Sequence, residues 1–77
     1  MKTIVLGAGL VGGPMALDLA QDQTLHVTVA DINESALQTL AEQNSELKTQ
    51  VADLSQPEKV KNLVQDFDIV LNAVPGF

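Results

Sequence analysis

The chain has 77 residues, 45% of them hydrophobic, which suits one small domain or part of one and is too apolar for a disordered segment. Four lysines, no arginine and ten acids leave a net charge of −6, so nucleic acid and anionic membrane surfaces find no electrostatic footing. With no cysteine and a single histidine, His26, disulfides, thiolate chemistry and the usual metal sites are excluded.

Ile4, Val5 and Leu6 make a short continuous apolar run, as expected of a strand covered on both faces. The run enters Gly7-Ala8-Gly9-Leu10-Val11-Gly12-Gly13, and a helix is predicted from about Val11 to Gln21. A strand that breaks at Gly-x-Gly-x-x-Gly and resumes as a helix is the dinucleotide-binding turn. Gly7 allows the tight turn, Gly9 lets backbone approach a pyrophosphate, and Gly12 lets helix and strand pack closely. The helix start offers N–H groups, those of Leu10 and Val11, and a positive dipole end to an anion. Val11, Met15 and Leu19 form one stripe of this helix, with the small residues Gly12, Ala16 and Ala20 beside it. Pro14 is tolerable only because it falls near the helix start.

A charged start followed by an apolar run also resembles a secretory leader, but the glycines, Pro14 and Asp18 interrupt it. No stretch approaches the roughly 18 apolar residues of a membrane span. A soluble, cytoplasmic protein is expected.

After a polar link, Leu25 to Ala30 is predicted as the second strand, ending at Asp31. Asn33 can cap the next helix, with Ser35 and Gln38 offering an alternative capping box one turn later, and the apolar face is Ala36, Leu37, Leu40 and Ala41. Leu47 to Ala52 reads as a more polar third strand at a sheet edge, closed by Asp53. Ser55-Gln56-Pro57-Glu58 reads as a helix start with Ser55 as cap, and Val60, Leu63 and Val64 face inward. Ile69 to Val74 is predicted as a buried fourth strand, terminated by Pro75-Gly76.

Strands alternating with helices through short links imply an α/β fold with a parallel sheet and right-handed crossovers. The expected architecture is Rossmann-like, with strand order 3-2-1-4, helices on both faces and the ligand at the carboxyl ends of the strands. Two-halved folds of this kind need roughly twice this length. Residues 1–77 are therefore expected to be the first half of a larger dinucleotide-binding domain, with the substrate domain elsewhere.

Asp31 stands nineteen residues after Gly12 at a strand end, where a carboxylate can accept both hydroxyl hydrogens of an adenosine ribose. Its simpler reading is a turn acid or helix cap. A cofactor 2′-phosphate would meet this carboxylate, with Ile32 and Asn33 next and no arginine in the chain, which favours NAD over NADP. Asp53 is placed to meet an adenine amine, with the Leu54 N–H donating to a ring nitrogen, or else simply closes a turn. Ala73 and Val74 are placed near the pyrophosphate and first ribose, while Asn72 needs a partner from ligand or backbone. His26 opens its strand far from this end and receives no catalytic role. No Gly-Lys-Ser/Thr follows the loop, so it is not a nucleoside-triphosphate loop.

KTIVLGAGLVGGPMALDLA at Lys2 to Ala20, VADIN at Val29 to Asn33, VADLSQPE at Val51 to Glu58 and DIVLNAVPGF at Asp68 to Phe77 together resemble the saccharopine dehydrogenase family's N-terminal cofactor domain. The Gly-Gly-Pro after the loop and the Asn-Ala-Val-Pro-Gly-Phe segment are the more specific parts. The resemblance implies hydride transfer between NAD or NADP and an amino-acid or amine substrate, in amino-acid metabolism. It also implies cofactor contacts from Gly7, Gly9, Leu10, Val11, Gly12, Asp31, Asp53, Leu54, Ala73 and Val74, with catalytic groups, substrate pocket and any homo-oligomer contacts outside this chain. A regulatory NAD-sensing module would share the loop and Asp31. An S-adenosylmethionine methyltransferase would share a glycine loop and a strand-end acid, but its loop usually lacks a counterpart of Gly12.

Overall fold

The computed structural model describes residues 1–74. Pro75 and Gly76, expected to terminate the fourth strand, lie outside them, as does Phe77. The chain alternates β1 (Lys2–Leu6), α1 (Gly12–Leu19), β2 (His26–Asp31), α2 (Glu34–Gln43), β3 (Lys48–Val51), α3 (Pro57–Val64) and β4 (Ile69–Asn72). The strands form one parallel sheet in the order β3-β2-β1-β4. This is the expected Rossmann-like order. It places the break between β1 and β4, where successive crossovers leave in opposite directions and open a crevice at the strands' carboxyl ends.

β1 is central because it is apolar on both faces. Val5 joins Val27, Val29, Leu37 and Leu40 in one core, into which α1 and α2 pack. Ile4 and Leu6 point the other way and join Ala30 and Leu54, with Val60, Leu63 and Val64 of α3 over them. Helices therefore cover both faces, two on one side and one on the other. Full burial of each such Val, Ile or Leu contributes roughly 1.5–3 kcal/mol.

The buried stripe of α1 is the small one. Gly12, Gly13 and Ala16 are buried, whereas Val11 is 63% exposed. A helix close against a sheet has no room for a branched side chain at its nearest point, so Val11 is turned outward. Pro14 falls in the first turn of α1. Its nitrogen occupies a position where an N–H would have no intrahelical acceptor, so the ring removes no helix bond.

β3 is exposed at all four residues, in keeping with a polar edge strand. β4 departs from its expected burial: its residues alternate between half-buried and exposed, and Val70 is 42% exposed. Register places Val70 opposite Ile4, but β4 is the outermost strand of the described sheet and has a strand neighbour on one side only. Apolar content marks a strand without saying how much of the sheet its helices can cover.

Thr3 is 1% exposed, and its hydroxyl has no hydrogen-bond partner among the described residues. Its Cα partners are Val27 and Ile69. Thr3→Val keeps the shape and removes the unpaired hydroxyl. It is expected to stabilise the fold by about 1 kcal/mol, raising the melting temperature by about 4–8 °C in a thermal scan.

Candidate functional site

The carboxyl ends of the strands enclose a cleft of about 860 Å³. The loop after β1 forms its floor. The Gly7 N–H donates to the Ala30 carbonyl at 2.8 Å, and the Ala73 N–H donates to the Leu6 carbonyl at 2.9 Å, so sheet pairing continues past the strands on both sides. Gly7 turns the chain with φ +105°, a left-handed conformation that strains any residue with a Cβ. A Cβ on Gly12 would collide with the Gly7 carbonyl oxygen and come within 3.1 Å of the Ala73 Cβ. Gly9 differs from both: a Cβ there would meet nothing within 4 Å, and the φ is not positive. Neither folding nor packing of the described residues requires a glycine at this position. A ligand lying on the backbone would require it.

α1 begins beside Gly9 with no capping side chain and no acid in its first turn. By contrast, α2 is capped by the Asn33 side chain, which accepts from the Ala36 N–H at 3.1 Å, and carries Glu34 in its first turn. Among the described residues, the N–H groups of Leu10, Val11 and Gly12 donate to no protein acceptor. Leu10 is 98% exposed. A bare helix start with free donors and a positive dipole end is an anion site. No lysine lines the cleft.

Asp31 closes β2 at the cleft wall. Its Oδ2 accepts from the Ala8 N–H at 2.7 Å and its Oδ1 from the Asn33 N–H at 2.9 Å. The turn-acid reading and a place in the cleft therefore hold together, because each oxygen keeps a further lone pair. Ile32 follows on the rim, 64% exposed.

Asp53 and Leu54 line the far wall, Leu54 almost fully buried. Asp53 closes a turn as well: its Oδ1 accepts from the Ser55 N–H at 3.0 Å and the Ser55 hydroxyl at 2.6 Å, and its Oδ2 from the Gln56 amide at 3.2 Å. Ser55 was expected to cap α3. It does not: Gln56 is the N-cap residue, with no side-chain cap bond. The Ser55 hydroxyl donates to the nearby carboxylate, a stronger partner than a helix amide.

These bonds, led by the Ser55 hydroxyl, hold the Asp53 carboxyl below the usual aspartate range. A lowered folded value means that the turn's contribution to stability is present above the unfolded aspartate value and is lost as pH falls through the folded one. Ser55→Ala is expected to move the Asp53 titration upward, as read by carboxyl carbon NMR shifts.

Ala73 and Val74 complete the cleft beside Gly7. Asn72 was expected inside a buried run. It is exposed, and its Oδ1 accepts from the Val74 N–H at 3.0 Å, so its partner is backbone. Of the residues assigned cofactor contacts from sequence, Gly12 alone does not line the cleft, because it lies beneath the loop. Ser55 lines it and was not singled out as a site residue. The Asp-x-Ser spacing was its only local signal. His26 lies at the opposite end of the sheet, in a second and smaller hollow with Glu46 and Lys48. Asp68 serves the fold, its Oδ2 accepting from the Lys2 N–H at 2.8 Å.

A family model described as the saccharopine dehydrogenase NADP binding domain matches residues 3–77. The chain belongs to this family. The saccharopine dehydrogenase (L-Glu forming) of Saccharomyces cerevisiae, solved without ligand, superposes with a TM-score of 0.79 at 29% identity over 96% of this chain. The UDP-glucuronic acid 4-epimerase of Bacillus cereus, solved in complex with NAD, superposes with a TM-score of 0.71 at 27% identity over the whole chain. The chain spans 16% of the first protein and 28% of the second. It is a nicotinamide-dinucleotide-binding domain of the saccharopine dehydrogenase type. Among the described residues, no helix is long and apolar enough to cross a membrane.

Proposed function

We propose that the chain is the cofactor-binding part of an NAD-dependent dehydrogenase acting on an amino-acid or amine substrate. The observation that carries this reading is the pairing, in one cleft, of a bare helix start with a fixed strand-end carboxylate. Residues 1–77 then form the first half of a dinucleotide domain, and the regions that bind substrate and perform catalysis belong to the rest of the protein. The small share of each relative that the chain spans is in keeping with this division. Alone, the 77 residues are expected to be catalytically inactive.

The residues present fit a dinucleotide. Leu10 and Val11 donate their N–H groups to the pyrophosphate, and Gly9 lets it lie on the backbone. Asp31 accepts from the adenosine ribose. Ile32 offers apolar surface to the adenine, the Leu54 N–H donates to a ring nitrogen, and Asp53 stands at the amine edge. Ala73 and Val74, being small, leave room for the pyrophosphate and first ribose. When bound, the cofactor supplies the hydride chemistry; the chain orients it.

NAD is preferred although the family's description names NADP. Asp31 is tied at both oxygens and cannot swing away from a 2′-phosphate, and the chain has no arginine to neutralise one. The amino-acid or amine substrate rests on the family and on the name of the yeast relative.

Calorimetric titration of the full-length protein with NAD, NADP and S-adenosylmethionine tests the reading, and its failure to bind NAD would sink it. Gly9→Ala sharpens the test. The variant is expected to melt at the same temperature or slightly higher, because its Cβ meets open space. It should lose about tenfold or more in NAD affinity, because the methyl stands where the pyrophosphate lies. Unchanged NAD affinity would remove the loop from the binding site.

A further inference from the structure

We propose that Asp31 is a positioning residue for the phosphate-binding loop as well as the reader of the ribose. The proposal rests on the dinucleotide reading above and adds a second task for the same carboxylate.

The loop has few tethers. Gly7 is the last residue held to the sheet by backbone, through its N–H on the Ala30 carbonyl. The next bond, from the Ala8 N–H, goes to the Asp31 Oδ2 at 2.7 Å, across 23 residues of sequence. Beyond it, the N–H groups of Leu10, Val11 and Gly12 have no protein acceptor among the described residues, and backbone hydrogen bonding resumes where the Gly13 N–H bonds the Gly9 carbonyl at 2.9 Å. The carboxylate therefore extends the β1–β2 pairing by one step into the loop. On its other side, Oδ1 is held by the Asn33 N–H at 2.9 Å, which sets its orientation from the start of α2. Asp31 is half-buried and Ala8 is 9% exposed, so water competes poorly for this bond.

Two consequences follow from one side chain having both tasks. The donors for the pyrophosphate stand at a fixed distance from the ribose acceptor, which pre-organises the two halves of the adenosine diphosphate site. Removing the charge to admit a 2′-phosphate also releases the loop. A neutral residue at position 31 therefore lowers repulsion toward NADP without producing a tight NADP site.

The test separates loop from ribose. Asp31→Asn keeps the side-chain shape but has one acceptor oxygen for two backbone donors, and Asp31→Ala has none. In the ligand-free protein, amide hydrogen exchange at Ala8 is expected to be about tenfold faster in both variants, with Val5 and Val29 unchanged as controls for the fold. Inorganic pyrophosphate, which has no ribose, is expected to bind about tenfold more weakly, followed by the amide shifts of Gly9, Leu10 and Val11. Unchanged Ala8 exchange, or unchanged pyrophosphate affinity alongside weakened NAD, would overturn the brace and leave Asp31 a ribose reader only. If the unmodified protein fails to bind NAD, the functional reading falls, and Ala8 exchange still decides the brace.

Discussion

Gly12→Ala is expected to destabilise the fold by about 3 kcal/mol or more, lowering the melting temperature by about 15 °C. The added methyl would overlap the carbonyl oxygen of Gly7, which is backbone and cannot rotate aside. Gly7 itself is held by its N–H on the Ala30 carbonyl and by a φ of +105°. On the other side, the Ala73 Cβ stands 3.1 Å from the methyl, so α1 can only lift off the sheet. Lifting it would open the core around Ala16 and Leu40 and displace the N–H groups of Leu10 and Val11. Urea denaturation should therefore show a lower midpoint at unchanged slope, together with weaker NAD binding. A midpoint equal to that of the unmodified protein would show that α1 is not packed against the loop in this way. Gly9→Ala, three residues earlier, is the internal contrast, since it should affect binding and spare stability.

Asp31→Ala is expected to weaken NAD by about 100-fold, because two charge-assisted bonds to the ribose hydroxyls are lost. NADP should weaken less. Loss of the brace affects both cofactors alike, but for NADP it is partly offset by removing a carboxylate from beside the 2′-phosphate. The ratio of the two affinities should move toward NADP by about tenfold. Fluorescence or calorimetric titration of both cofactors measures this ratio. A ratio that moves toward NAD would refute the ribose assignment. The salt dependence offers a further check, because backbone N–H groups, rather than lysines, are proposed to hold the phosphates. Affinity should then fall only modestly with ionic strength.

Several features were legible in the chain because they are local. The Gly7-x-Gly9-x-x-Gly12 spacing marks a turn whose demands fall on consecutive residues. The Ile4-Val5-Leu6 run identifies a strand buried on both faces, and the polar third strand announced its edge position. Asp31 was legible by its distance from the loop, since the length of a helix and its return fixes where the second strand ends. Asn33 was readable as one of two candidate caps because capping acts within three residues, and the structure selects it over Ser35.

Other features were not legible, for equally definite reasons. The bond from Ala8 to Asp31 joins residues that sequence separates by a whole βα unit. Ser55 had two partners within reach, a helix amide and the Asp53 carboxylate, and only the folded turn puts its hydroxyl 2.6 Å from the stronger one. The exposure of Val70 and Asn72 goes with the place of β4 as the outermost strand of the sheet, which strand order sets and the apolar content of β4 does not show.

By itself, then, the sequence determined the order of elements, the parallel sheet, the position of the glycine loop and the acid that faces it. These follow from periodicity, glycine geometry and spacing, all of which act over a few residues or one repeat. Tertiary structure alone decided that the acid is tied at both oxygens, that Gly9 faces open space while Gly12 is pressed on the loop, and that the Ser55 hydroxyl turns to Asp53. Those outcomes depend on which atoms packing brings within about 3 Å, and that distance is set by the meeting of elements far apart in the chain.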